Sequence, residues 1–201
     1  MLLMGKFAFA QEMPILSGVG GEFSAINATT GKTIKLSDFK DKVVILSFGY
    51  TNCADICPFT LGYLQHLYEK LTPQERQKVR VVFVTIDPEY DTPKHLKEFM
   101  QHFNKDFIGL TGSKQATKKI AALFQAEYSK LAQVSVPTAY MRRVNNKSFE
   151  NKTDEKTDSA SLFSHTVAIY LIDKTGNTRS LEYTGTKTAV FINKIQQLAN
   201  E

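Results

Sequence analysis

The sequence predicts an α/β sandwich, a central sheet covered by helices. Three observations carry this. Val43–Phe48 and Val79–Ile86 are mostly apolar, with Ser47, Arg80 and Thr85 as their polar residues, instead of alternating, as in strands buried on both faces. The segments after them repeat apolar residues at helical spacing. Strand and helix then alternate along most of the chain, which predicts right-handed crossovers.

Taken in order, Glu22–Ala25 and Thr33–Leu36 flank the turn Asn27-Ala28-Thr29-Thr30-Gly31 and predict a small N-terminal β-hairpin. Val43–Phe48 is the first buried strand. Gly49 to Cys57 reads as a loop, and Pro58 suits the first turn of a helix, where its missing N–H is not needed. Leu61, Leu64, Leu67 and Leu71 mark that helix. Val79–Ile86 is the second buried strand. Thr92-Pro93 opens a helix to about Phe103, with Leu96, Phe99 and Met100 inward. Phe107–Leu110 is a short strand, and Ser113 caps a helix through Phe124, with Ile120, Leu123 and Phe124 inward. Thr166–Ile172 is a strand, Asp173–Asn177 its turn, and Arg179–Tyr183 the antiparallel return. Thr188–Ala199 closes as an amphipathic helix.

A length of 201 residues suits one domain, placed at residues 20–201 behind an N-terminal segment 1–19. The stretch 144–161 is polar and aperiodic and reads as an exposed loop insertion. With 42% hydrophobic and 22% charged residues the chain is not a disordered one. Eleven Gly and six Pro exclude collagen-like and Pro-rich repeats. The net charge of +5 is spread over scattered lysines, with no basic run interleaved with aromatics, so no nucleic-acid partner is expected. No window holds the roughly 18–20 apolar residues of a membrane-spanning helix. Met1–Ala10 (MLLMGKFAFA) ends in Ala8-Phe9-Ala10, like the tail of a secretory signal peptide whose start lies upstream. An exported protein works in an oxidising compartment, where close thiols need reducing before they can act.

The two cysteines are too few for a disulfide scaffold or a four-Cys zinc site. Cys53 and Cys57 stand in Thr51-Asn52-Cys53-Ala54-Asp55-Ile56-Cys57-Pro58, between a buried strand and a helix. That is the sheet edge where open α/β folds place their ligands. The helix N-terminus favours thiolate, the form that binds soft metal or attacks a disulfide. Three uses remain open: an inert pair, redox exchange, and soft-metal binding, which wants a third ligand. His66, His95 and His102 read as exposed helical histidines. His165, immediately before a strand, reaches the cysteine loop if that strand lies beside the one ending at Phe48. Asp55 and Asp87 read as turn caps near the site.

Several ordered matches carry a family resemblance. Phe48-Gly49-Tyr50-Thr51-Asn52-Cys53 runs into Asp55-Ile56-Cys57-Pro58, and Thr85-Ile86-Asp87-Pro88-Glu89 into Asp91-Thr92-Pro93. Phe107–Gly112 and Ser164-His165-Thr166 with Tyr170–Asp173 follow. Over residues 20 to 199 the chain resembles the SCO/SenC family. The resemblance implies a thioredoxin-like fold with a central mixed sheet flanked by helices. It implies copper, as Cu(I) and Cu(II), on Cys53, Cys57 and His165, for delivery to the dinuclear copper centre of cytochrome c oxidase. The implied partners are the oxidase's copper-bearing subunit and other copper chaperones or thiol reductants, in the periplasm or an equivalent exported location, with possible membrane association. Thiol–disulfide exchange by the redox-active pair Cys53 and Cys57 is the alternative. A peroxidase, which needs a hydroxyl such as that of Thr51 and an arginine, and a plain interaction module are more distant readings. The polar stretch before His165 is longer than the family leads one to expect, and the family's N-terminal membrane anchor is not evident.

Overall fold

The structure is a computed structural model that describes residues 12–130 and 163–201, with the side chains of Lys130 and His165 also outside the description. Met1–Ala10 and the stretch 144–161 therefore lie outside the described residues. The elements are β1 (Ser24–Asn27), β2 (Thr33–Lys35), a 3₁₀ turn (Leu36–Phe39), β3 (Val43–Gly49), α1 (Ile56–Lys70), α2 (Pro73–Gln77), β4 (Val79–Thr85) and α3 (Pro93–Gln101). They continue with β5 (Ile108–Thr111), α4 (Lys114–Leu123), β6 (Tyr128–Lys130), β7 (Phe163–His165), β8 (Ala168–Ile172), β9 (Thr178–Tyr183) and α5 (Thr188–Asn200).

Seven strands form one mixed sheet in the order β2-β1-β5-β4-β3-β8-β9. β3, β4 and β5 are parallel, and β8 lies antiparallel on the other side of β3 in the register Ser47↔Ile169. Every residue of β3 is buried, as its mostly apolar run predicts. Its side chains alternate between two cores. Val43 and Ile45 join Leu61, Leu64 and Leu67 of α1, Leu96 and Met100 of α3, and Phe191, Ile195 and Leu198 of α5. Val44, Leu46 and Phe48 face Ile120, Ala121 and Phe124 around α4, with Phe23, Leu36 and Phe39. Each large side chain so covered contributes about 1.5–3 kcal/mol, and the strand is held from both faces with its C-terminal end fixed.

Capping follows the sequence. Thr92 Oγ1 accepts from His95 N at 3.3 Å and Ser113 Oγ from Ala116 N at 3.1 Å. The first hairpin strand lies two residues later than the pattern suggested, while the second starts at Thr33 as expected, and Asn27 Oδ1 accepts from Thr29 N at 2.9 Å in the turn between them. Glu22 instead turns to the Ser37 hydroxyl at 2.8 Å. β1 also pairs with β5, so the hairpin extends the main sheet.

Two expectations need correction. Leu123, expected inward, is exposed at the end of α4, and Phe124 takes the buried place beyond it. The strand expected over Thr166–Ile172 starts two residues later, as β8 at Ala168. Thr166 N bonds Glu127 O at 2.9 Å and Thr166 Oγ1 accepts from Glu127 N at 3.1 Å, which holds Thr166 out of the main sheet. The residues just before it form a further short strand, β7, which pairs with β6 in a separate two-stranded sheet, with Tyr128 opposite His165.

Candidate metal and thiol centre

The site grows from the C-terminal end of β3. Gly49 ends the strand without a side chain because there is no room for one. A Cβ there would lie 2.7 Å from the Phe83 ring and 2.8 Å from Cys57 Sγ. The chain then turns, with Cys53 N donating to Tyr50 O at 3.3 Å. α1 begins at Ile56, two residues before Pro58, so the loop is shorter than expected and Cys57 belongs to the first helical turn. Asp55 occupies the position ahead of that turn, but its side chain makes no capping bond and is exposed, contrary to expectation. Asp87 does sit in a turn, through its backbone: Asp87 O accepts from Tyr90 N and Asp91 N.

The cysteines are thiols outside any disulfide, with different surroundings. Cys57 is 2% exposed, and burial pushes its thiol well up, further raised by Cys53 and Asp91 against a lowering contact with the Tyr50 backbone. Cys53 is half-buried. Burial alone would raise it too. Hydrogen bonds from the backbone N–H groups of Asp55, Cys57 and Ile56 and from the Cys57 side chain outweigh that and hold it below an ordinary cysteine. The helix N-terminus acts on Cys53 from outside the helix, while Cys57 is buried within it.

His66 and His102 are exposed, as expected. His95 differs: it is half-buried, stacks on Tyr90 with ring centres 4.7 Å apart, and its Nε2 lies 3.4 Å from Thr51 Oγ1. The side chain of His165 lies outside the described residues. Its strand is nevertheless joined to the cysteine loop one residue past Gly49. Phe163 N donates to Tyr50 Oη at 3.2 Å, and the two rings pack edge to face with centres 5.1 Å apart. Among the described residues no three His, Cys, Asp or Glu side chains gather around a common point.

Asp91 is the site residue that the sequence does not announce. It is 0% exposed and accepts from Thr51 N at 3.1 Å, from Thr85 Oγ1 at 2.5 Å and from Thr51 Oγ1. Its own backbone oxygen accepts from Thr111 Oγ1 at 3.0 Å. Burial raises the Asp91 carboxyl, opposed by its bonds to Thr51 and Thr85 and by His95. A lone Asp before Thr-Pro reads as an exposed helix start. The available signal was the set of threonines ending β4 and β5, with Thr51 in the loop, all converging on one sheet edge.

Comparison with known proteins agrees with this construction. The family model described as SCO1/SenC matches residues 12–200. The chain is 36% identical over 113 residues to the SCO2-like protein of Rickettsia felis, covering 56% of this chain and 54% of that protein. It is 29% identical over 158 residues to the mitochondrial protein SCO2 of Saccharomyces cerevisiae, covering 79% of this chain and 45% of that one. The matches thus span about half the length of these curated relatives. The solution structure of apo Sco1 from Thermus thermophilus superposes with a TM-score of 0.70 at 28% identity, over 92% of this chain and 94% of that one. The Bradyrhizobium japonicum ScoI structure with copper bound superposes at 0.72 and 23% identity, over 90% and 99%. The thioredoxin-like mixed sheet is shared with these structures. With the family pattern matched over nearly its whole length, the chain belongs to the SCO1/SenC family.

Proposed function

We propose that this protein binds copper through Cys53, Cys57 and His165 and delivers it to the dinuclear copper centre of a cytochrome c oxidase. One observation carries the reading. A loop with two thiols outside any disulfide is bonded, through Tyr50 Oη and Phe163 N, to the short strand that contains His165. Thiolates suit Cu(I), and an imidazole adds a nitrogen donor that also suits Cu(II). A three-donor set leaves a coordination position for a ligand from the receiving protein, so transfer proceeds by ligand exchange. Support comes from relatives whose structures hold copper, among them ScoI of Bradyrhizobium japonicum and yeast Sco1. A further structural neighbour, BsSco, is described as a member of the Sco family of cytochrome c oxidase assembly proteins. The receiving partner is the copper-bearing oxidase subunit, with other copper chaperones or thiol reductants upstream. An exported, membrane-associated location is part of the proposal, in line with a SCO1/SenC lipoprotein from Bacillus anthracis among the neighbours. No helix among the described residues is long and apolar enough to cross a membrane.

The test is anaerobic copper loading of the reduced protein, with metal counting and spectra. Wild type takes up about one copper per chain, as one site of this donor set allows. Cys53→Ser and Cys57→Ser lose it, and His165→Ala loses most Cu(II) binding and less of Cu(I). Equal binding of both oxidation states by wild type and His165→Ala overturns the ligand assignment.

A second reading, thiol–disulfide exchange, is favoured by one specific observation: a more acidic, half-buried Cys53 beside a buried, less acidic Cys57. That asymmetry separates an attacking thiolate from a resolving thiol. A disulfide switch is named for BsSco. Fast metal-free exchange that ignores His165→Ala favours this reading.

A further inference from the structure

We propose that Asp91 is the positioning residue of the thiol centre, acting through Thr51 to hold Cys53 against the N–H groups of Asp55, Ile56 and Cys57. The inference rests on the reading of Cys53 and Cys57 as the working pair. It adds a component that neither copper binding nor thiol exchange by itself assigns.

Asp91 is a carboxylate 0% exposed, with neutral hydrogen-bond donors around it. Burying a carboxylate costs free energy that neutral donors offset only in part. A simple turn could be closed by Asn or Ser at a smaller cost. What a carboxylate offers is acceptor capacity on both oxygens. Here one side chain takes the backbone N–H and the hydroxyl of Thr51 together with the hydroxyl of Thr85. Thr85 ends β4, and Thr111, which bonds the Asp91 backbone, ends β5. The carboxylate therefore ties the cysteine loop to the ends of two buried strands. Thr51 lies inside the turn closed by Cys53 N and Tyr50 O. Fixing Thr51 fixes the direction in which the chain enters Cys53, and so where its sulfur meets the first turn of α1. Asn at position 91 keeps the size but replaces one acceptor oxygen by an amide that meets donors.

The geometry makes a prediction opposite in sign to that of charge alone. Asp91 is a negative group near two sulfurs, so removing its charge should favour thiolate and speed reaction. Removing its hold on Thr51 should misalign Cys53 and slow it.

The experiment follows metal-free, reduced protein in chelator with a neutral aromatic disulfide at fixed pH. Cys53 first loses its proton to solvent, and the resulting thiolate attacks one reagent sulfur. The reagent S–S bond breaks, and one half leaves as a thiolate. Cys57 then displaces the other half and closes a Cys53–Cys57 disulfide. The protein thiols lose two electrons, which the reagent gains. Thr51→Val, which has no hydroxyl and no charge change, and Asp91→Asn each slow the first step roughly 5- to 10-fold, as expected for loss of one or two positioning hydrogen bonds. Thr51→Ser recovers most of the rate lost in Thr51→Val. Thermal unfolding is run alongside to confirm that each variant is folded. A wild-type rate in folded Thr51→Val, or a faster one in Asp91→Asn, overturns the proposal. Should Asp91→Asn not fold, the Thr51→Val and Thr51→Ser pair decides. Because no copper is present, a failed copper-ligand assignment leaves this result unaffected, and the reverse holds too.

Discussion

The two ends of β3 lie about 20 Å apart along the strand, and beside each is a buried charged side chain held in a different way. At the N-terminal end, next to the Ile172↔Thr178 pairing, Arg179 is 5% exposed. It bonds Asp173 at 3.0 Å, Glu201 at 2.6 Å and the Met13 carbonyl at 2.8 Å. Opposite charges answer it, and they come from the β8–β9 turn, the end of α5 and the N-terminal segment. At the C-terminal end Asp91 meets hydroxyls and an N–H, and the thiols stand beside it. One end spends its buried charge on joining distant parts of the chain. The other uses it to hold a reactive loop, and leaves that carboxyl uneasy enough for burial to raise it.

The largest expected effect falls at the closed end. Arg179→Met leaves Asp173 and Glu201 without their cation and frees the Met13 carbonyl. Breaking a buried pair in this way costs about 3–5 kcal/mol, and urea unfolding measures it. The folded fraction should keep the wild-type rate of Cys53 with a disulfide reagent. A reactivity change as large as the stability loss breaks the separation between the ends.

Gly49→Ala comes next and should do the reverse. The added methyl meets the Phe83 ring and Cys57 Sγ, both closer than 3 Å. Such overpacking costs about 1–3 kcal/mol, less than the loss of Arg179. It should alter Cys57 in the folded protein, read as faster modification of that thiol. Unchanged Cys57 access with lowered stability would mean that Phe83 alone gives way.

The same contrast explains what could be read in the residues beforehand. β3, β4 and the leucines of α1 were legible because burial on both faces forces runs with few polar residues, and helical packing forces a spacing. Thr92 and Ser113 were legible as caps because the bond is local. The place of the cysteine pair between a buried strand and a helix start was legible because both patterns are local as well. Asp91, Arg179 and the parting of β7 from β8 were not. Each depends on partners 6 to 166 positions away, and a polar residue in sequence looks the same whether it ends in water or in the core. The bond that joins the loop to the strand Phe163–His165 rests on Tyr50 and Phe163, two aromatics 113 residues apart that nothing in either neighbourhood connects.

Acid should separate the two ends by the smallest of these effects. Asp173 is driven up by burial, but its bonds from Thr175, Asn177 and Arg179 prevail and hold it below the ordinary carboxylate range. A group lowered in the folded state contributes stability present above its unfolded pKa, about 3.9, and lost as pH falls through the folded value. Asp91 has the opposite sign. Burial raises it, so the folded chain takes up that proton before the unfolded chain does, and its protonation does not by itself unfold the protein. Lowering the pH from neutral should therefore release Thr51 from Asp91 while the sheet and the Arg179 cluster remain intact, with the loss of stability following only below about pH 4. Amide NMR of Thr51 alongside far-UV circular dichroism follows both events. Asp91→Asn should erase the early change and leave the late one, and Arg179→Met should weaken the late one. A single coincident transition at both ends would mean that β3 transmits the disturbance and that the cysteine loop is not held independently of the fold.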